Sequence, residues 1–95
     1  MASVVTRSPN KPKYRRAVDK TKYDAMKKIL VKFFPKREPG KTQREMHAHA
    51  KKKAKKTLFP GTTWQWWSKC VQLDLEAKGV LVREQCTPLR WHRRR

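Results

Sequence analysis

The stretch Thr62–Gly79, TTWQWWSKCVQLDLEAKG, decides how the rest of the chain is read. At ~100° per residue, Trp64, Trp67, Val71 and Leu75 fall on one side of a helix, and Trp66, Cys70, Leu73 and Ala77 fall on the side next to it. Left in water, each large apolar side chain would forgo ~1.5–3 kcal/mol, so this is predicted to be the central helix of a small domain. Thr62 and Gln65 have the spacing of a capping box, and Gly79 suits the left-handed residue that ends a helix. What remains is a narrow polar stripe of Gln65, Ser68, Lys69, Gln72 and Glu76, spaced three and four apart.

Upstream, Thr42-Gln43-Arg44-Glu45 forms another capping-box pattern and opens a helix running to about Thr57. Its inner face is thin, with Met46, Ala50, Ala54 and Leu58, while Lys51, Lys52, Lys53, Lys55 and Lys56 cover the rest. Pro39-Gly40 marks the turn before it. Before that turn, Tyr23, Met26, Leu30 and Phe33 recur at helical spacing, with Ile29 and Phe34 widening the stripe; Asp19 is the expected N-cap and Pro35 the stop.

Downstream, Val80–Glu84 is short and rich in β-branched residues, and Leu89–Arg93 alternates apolar with polar. Joined through Gln85-Cys86-Thr87-Pro88 they are expected to form a β-hairpin with Leu89 and Trp91 facing inward. Residues 1–18 contain two prolines and carry Arg7, Lys11, Lys13, Arg15 and Arg16 with no acid among them. So little apolar surface is expected to leave them a flexible basic arm. The expected layout is an arm over 1–18, one folded domain over 19–93 and a basic tail at 94–95.

Across 95 residues, 26 Lys and Arg face 7 Asp and Glu, a formal charge of +19. A compact body so charged repels itself without a polyanion, and cations spread along the chain among tryptophans favour nucleic acid over a membrane surface. Two cysteines, Cys70 and Cys86, make no disulfide framework, and no apolar run is long enough for a membrane span. The expectation is an intracellular protein, cytoplasmic or nucleoid-associated, with organelle import open because the N-terminus is basic and contains Ser and Thr. His47 and His49 project from opposite sides of a helix and the cysteines lack paired spacing, so no metal site is expected. No catalytic set or glycine-rich phosphate loop stands out, which argues against an enzyme and against a cofactor.

Three helices followed by a hairpin whose second strand is basic resemble a winged helix-turn-helix over Asp19–Arg93. The most specific match is VQLDLEAKGVLVRE, an aliphatic helix running through Glu-Ala-Lys-Gly into an apolar strand. Phe59-Pro60-Gly61, the tryptophan cluster and Val71–Glu76 are also similar to a family of small uncharacterised bacterial proteins. The implied fold class is α+β, mainly α, with a C-terminal hairpin wing. In winged-helix DNA binders the third helix enters the major groove and the wing touches backbone.

Carried onto this chain, the resemblance puts Gln65, Ser68, Lys69 and Gln72 at base edges or phosphates, and Arg83, Arg90, His92 and Arg93 on the wing. Lys51, Lys52 and Lys55 on the second helix and Arg15 and Arg16 on the arm would add phosphate contacts. The leading reading is therefore duplex DNA held mainly through its backbone, in an architectural or regulatory role. One alternative is an RNA-binding or ribosome-associated protein whose basic arms thread RNA; another is an adaptor for an acidic protein. Trp66 and Trp91 are read either as core or as platforms for unpaired bases. No leucine heptad extends far enough to indicate an oligomeric state.

Overall fold

The computed structural model describes residues 2–94. Its elements are β1 (Ser3–Ser8), β2 (Lys11–Asp19), α1 (Lys20–Phe33), β3 (Lys41–Thr42), α2 (Gln43–Lys53), α3 (Thr63–Ala77), β4 (Leu81–Glu84) and β5 (Arg90–Arg93). They make an α+β fold of three helices and two small antiparallel sheets. One sheet is the hairpin β1–β2; the other has the order β3-β5-β4. In the second, Trp91 sits opposite both Lys41 and Arg83, so the short strand before α2 and the strand after α3 are tied through β5.

The central position of α3 follows from its sequence. Trp67, Val71 and Leu75 are buried against Tyr23, Met26, Leu30 and Phe34 from α1 and its end, Met46 and Ala50 from α2, and Phe59, Leu81 and Trp91. Methionine and alanine on α2 let it approach closely, as its thin apolar face suggested. Thr42 caps α2 reciprocally: its hydroxyl accepts from the Glu45 amide at 3.1 Å, and the Glu45 carboxylate accepts from the Thr42 amide at 2.9 Å. The far end of α3 closes with Gly79 at φ 81°, the Gly79 amide donating to Glu76 and the Val80 amide to Leu75.

Five sequence expectations are corrected here, the first being that Asp19, at the start of α1, makes no side-chain cap. Residues 3–19 are a paired hairpin with Thr6 and Val18 buried, not an unstructured arm. Val4 and Thr6, two apart in Ser3–Ser8, give one strand an inward face, and α3 supplies the surface that a lone hairpin lacks. Thr62 makes no side-chain cap; instead the Thr63 hydroxyl donates to the Pro60 carbonyl at 2.8 Å and the Gln65 amide to the Thr62 carbonyl at 3.0 Å. Helix α2 ends at Lys53, short of Thr57, and Leu89 is exposed while Trp91 is buried. At the basic tail, Arg94 donates from Nε to the Gly79 carbonyl at 2.8 Å; Arg95 and Met1 lie outside the described residues.

Asp74 joins the hairpin to the body. Its fully buried carboxylate accepts from the Arg7 backbone amide at 2.8 Å, from the Tyr23 hydroxyl, and from the Lys78 ammonium at 2.9 Å. One aspartate thus ties β1, α1 and the end of α3. Burial, followed by the hydrogen bond to Asp74, pushes the Tyr23 phenol well above its ordinary value.

Candidate nucleic-acid interface

Five of the seven carboxylates in the chain are committed within it. Asp74 lies in the buried junction, and Glu76 accepts from the Trp91 indole at 2.9 Å and from Arg83 at 3.1 Å. Glu84 holds His92 at 2.8 Å, Glu45 closes the cap of α2, and Asp24 pairs with Lys20 four residues before it. The acids therefore brace the fold while most of the 26 cations face outward. That division leaves a surface with a large uncompensated positive potential.

The sequence-derived site residues divide sharply. Gln65 and Lys69 are exposed on the first half of α3, and Lys51, Lys52 and Lys55 are exposed at and beyond the end of α2. Arg15 and Arg16 are exposed on β2, where the Arg16 guanidinium lies over the Trp66 ring, 5.0 Å from its centre. Ser68 and Gln72 are fully buried and do not read an external partner. The Ser68 hydroxyl donates back to the Gln65 carbonyl at 2.9 Å, and the Gln72 amide oxygen accepts from Gln43 at 3.2 Å. The buried arc of α3 is rotated toward these two residues because α2 packs there, whereas the side carrying Trp66, Cys70 and Leu73 is left to the hairpin.

The arginines expected on a wing are likewise corrected. Arg83 is paired with Glu76 at 3.1 Å and lies over Trp91. Arg90 donates to the Gly40 carbonyl at 3.0 Å and is 3.6 Å from Glu45. Arg93 donates from Nε to the Phe34 carbonyl at 2.7 Å. These three hold the small sheet to the helices and are not positioned as free phosphate ligands.

Two concavities flank the exposed edge of α3. Between α2 and the start of α3, Gln43, His47, Thr62, Gln65, Trp66 and Lys69 line an open groove. There desolvation, followed by the nearby Lys69 charge, pushes the His47 imidazole below its ordinary value. On the other side, the hairpin and α3 enclose a hollow of about 400 Å³ that includes Arg7, Lys11, Tyr14, Trp66, Lys69 and Leu73. Sequence reading missed Gln43 and His47 because they lie on a different helix from the stripe, and missed Arg7, Lys11 and Tyr14 because their segment read as an arm. The signal for the latter was present: β-branched Val4-Val5-Thr6 followed by Pro9-Asn10 is a hairpin pattern.

A metal is poorly served elsewhere. Among the described residues Glu38, Glu84 and His92 bring ligand atoms within 4.8 Å of one another. However, Glu84 and His92 already satisfy each other, and Lys36, Arg37, Arg93 and Arg94 line the adjoining hollow. Among these residues, too, no helix is long and apolar enough to cross a membrane.

The sequence profile of a protein family matches residues 3–91. The chain belongs to DUF6958, a family of unknown function. The match takes in the N-terminal hairpin as well as the three helices, so the hollow between β1–β2 and α3 lies within the family domain. No curated protein and no solved structure matches the chain.

Proposed function

We propose that this protein is a winged helix-turn-helix that binds duplex DNA through the α2–α3 groove, chiefly by its phosphate backbone. The order α1-β3-α2-α3-β4-β5 with a β3-β5-β4 sheet supports the winged-helix reading. The observation that carries the binding reading is the division of charge: Asp74, Glu76 and Glu84 are turned inward onto structural partners, while Gln65 and Lys69 at the start of α3 and Lys51, Lys52 and Lys55 at and beyond the end of α2 are exposed. In helix-turn-helix proteins the N-terminal residues of the second helix of the motif reach base edges while the first helix crosses backbone. The hairpin is anchored toward the far end of α3 through Asp74 and Lys78 and reaches back to Trp66 through Arg16, while Gln65 and Lys69 stay exposed.

With Ser68 and Gln72 turned inward, Gln65 and Lys69 are the two α3 side chains from the sequence-derived stripe left for base contact. Base selectivity is correspondingly shallow, and charge supplies most of the affinity. About six neutralised phosphates give a slope of about −5 in log affinity against log salt, hence a loss of about 10³ between about 50 and 200 mM. Fluorescence anisotropy with a labelled blunt duplex at those two salt concentrations tests this. A flat response rejects the reading, and displacement of the duplex by folded RNA at far lower concentration moves the assignment to RNA.

A further inference from the structure

We propose that the hollow between the β1–β2 hairpin and α3 receives one unpaired nucleotide, so that the protein prefers duplexes with a single-stranded extension. The proposal rests on the nucleic-acid reading above and names a second part of the same ligand.

Trp66 carries the argument. Of the four tryptophans, Trp67 and Trp91 are buried and Trp64 is partly so, whereas Trp66 is 43 % exposed. Its indole is held in place: Trp67 meets it edge-on at 5.1 Å and 89°, and Arg16 covers the ring at 5.0 Å. A ring fixed in this way loses little conformational freedom when a second flat group packs against it. Leu73 and Tyr14 continue the apolar wall of the hollow, and Arg7, Lys11 and Lys69 supply three cations around it. Among the described residues no carboxylate lines it. Its volume of about 400 Å³ is within the range of small-ligand sites.

Aromatic wall and cationic rim together match a nucleotide: the base lies against indole and leucine while its phosphate meets the ammonium and guanidinium groups. An acidic peptide would use the cations and leave the aromatic wall in water. Trp66 and Lys69 line both concavities, so an extension leaving a duplex seated in the α2–α3 groove passes directly to this hollow.

The test compares three labelled DNAs at one salt concentration: a blunt duplex, the same duplex with a short thymidine extension, and that duplex with an abasic extension of equal length. The abasic strand adds the same phosphates without bases. The thymidine extension should tighten binding about tenfold over the abasic one, the size expected for one stacked base. Trp66→Ala should abolish this ratio and Trp66→Phe should keep most of it. Wild-type tryptophan emission should fall on adding the thymidine extension, and fall less in Trp66→Phe.

Equal affinity for thymidine and abasic extensions, or an undiminished ratio in a folded Trp66→Ala protein, overturns the proposal while leaving blunt-duplex binding intact. If Trp66→Ala does not fold, the abasic comparison and Trp66→Phe emission decide it on their own. Failure of all three DNAs to bind overturns both this proposal and the reading on which it rests.

Discussion

Replacing Asp74 with alanine should destabilise the protein by about 4 kcal/mol and release the N-terminal hairpin before the helices melt. The carboxylate is wholly buried and bonded to the Arg7 amide, the Tyr23 hydroxyl and Lys78. Removing it leaves the Arg7 N–H and the Tyr23 O–H without acceptors, at about 1–3 kcal/mol each. The Lys78 side chain is 36 % exposed, so its lost ion pair is screened by water and adds little. Small domains have about 5–15 kcal/mol of stability in total, so the loss should be easily resolved.

Asp74→Asn is the informative companion. It keeps an acceptor for the Arg7 amide and can donate to the Tyr23 oxygen, so about 1–2 kcal/mol should go. Urea unfolding gives the global figure, and amide exchange over residues 3–19 gives the local one. Should Asp74→Ala lose under about 1 kcal/mol with hairpin amides protected as before, Asp74 is not the junction described here.

Gly40 supplies a second test, because a Cβ there would collide with the Trp91 carbonyl carbon and oxygen and with the Glu84 carboxylate. Gly40→Ala should therefore cost about 1–3 kcal/mol or more, read as a lowered thermal midpoint. Lys69→Glu should weaken duplex binding at low salt with an unchanged thermal midpoint, whereas Arg83→Gln, which breaks the Glu76 pair, should lower the midpoint. Burial holds His47 and His49 below the ordinary histidine value, so the unfolded chain takes up protons first as pH falls through about 6.5. Stability should decline below that pH, and the decline should be shallower in the His47→Gln, His49→Gln double variant. At the alkaline end the raised Tyr23 phenol keeps its proton in the fold, so stability should fall as pH climbs above about 10, the ordinary phenol value. Unfolding midpoints followed from neutral to alkaline pH, with Tyr23→Phe for comparison, measure this.

The parts of the fold readable from sequence were those set by local rules. The Thr42–Glu45 reciprocal cap, the Gly79 stop, the α1 stripe through Tyr23, Met26 and Leu30, and the β4–β5 hairpin all depend on residues a few positions apart. What was hidden depends on distant partners. Ser68 and Gln72 read as outward because periodicity gives only the angle of a side chain about the helix, and the position of α2 then decides what is covered.

The wing arginines show the same limit: Arg83, Arg90 and Arg93 look like phosphate ligands until Glu76, the Gly40 carbonyl and the Phe34 carbonyl are found beside them. The hairpin over residues 3–19 was masked by its prolines and charges, and it is tied to the body by a buried aspartate more than fifty positions away. Gln65 and Lys69 are the α3 residues for which the sequence reading and the exposed surface coincide.

The most direct test of the interface is a backbone-amide chemical-shift titration of isotope-labelled protein with a blunt duplex at low salt. The account predicts that the largest shifts fall at the start of α3, from Thr62 through Lys69, and along α2 from Gln43 to Lys53. The solvent face of α1 carrying Lys20, Lys27 and Lys28 should move little. Shifts concentrated on that α1 face, or none at the start of α3, would contradict it.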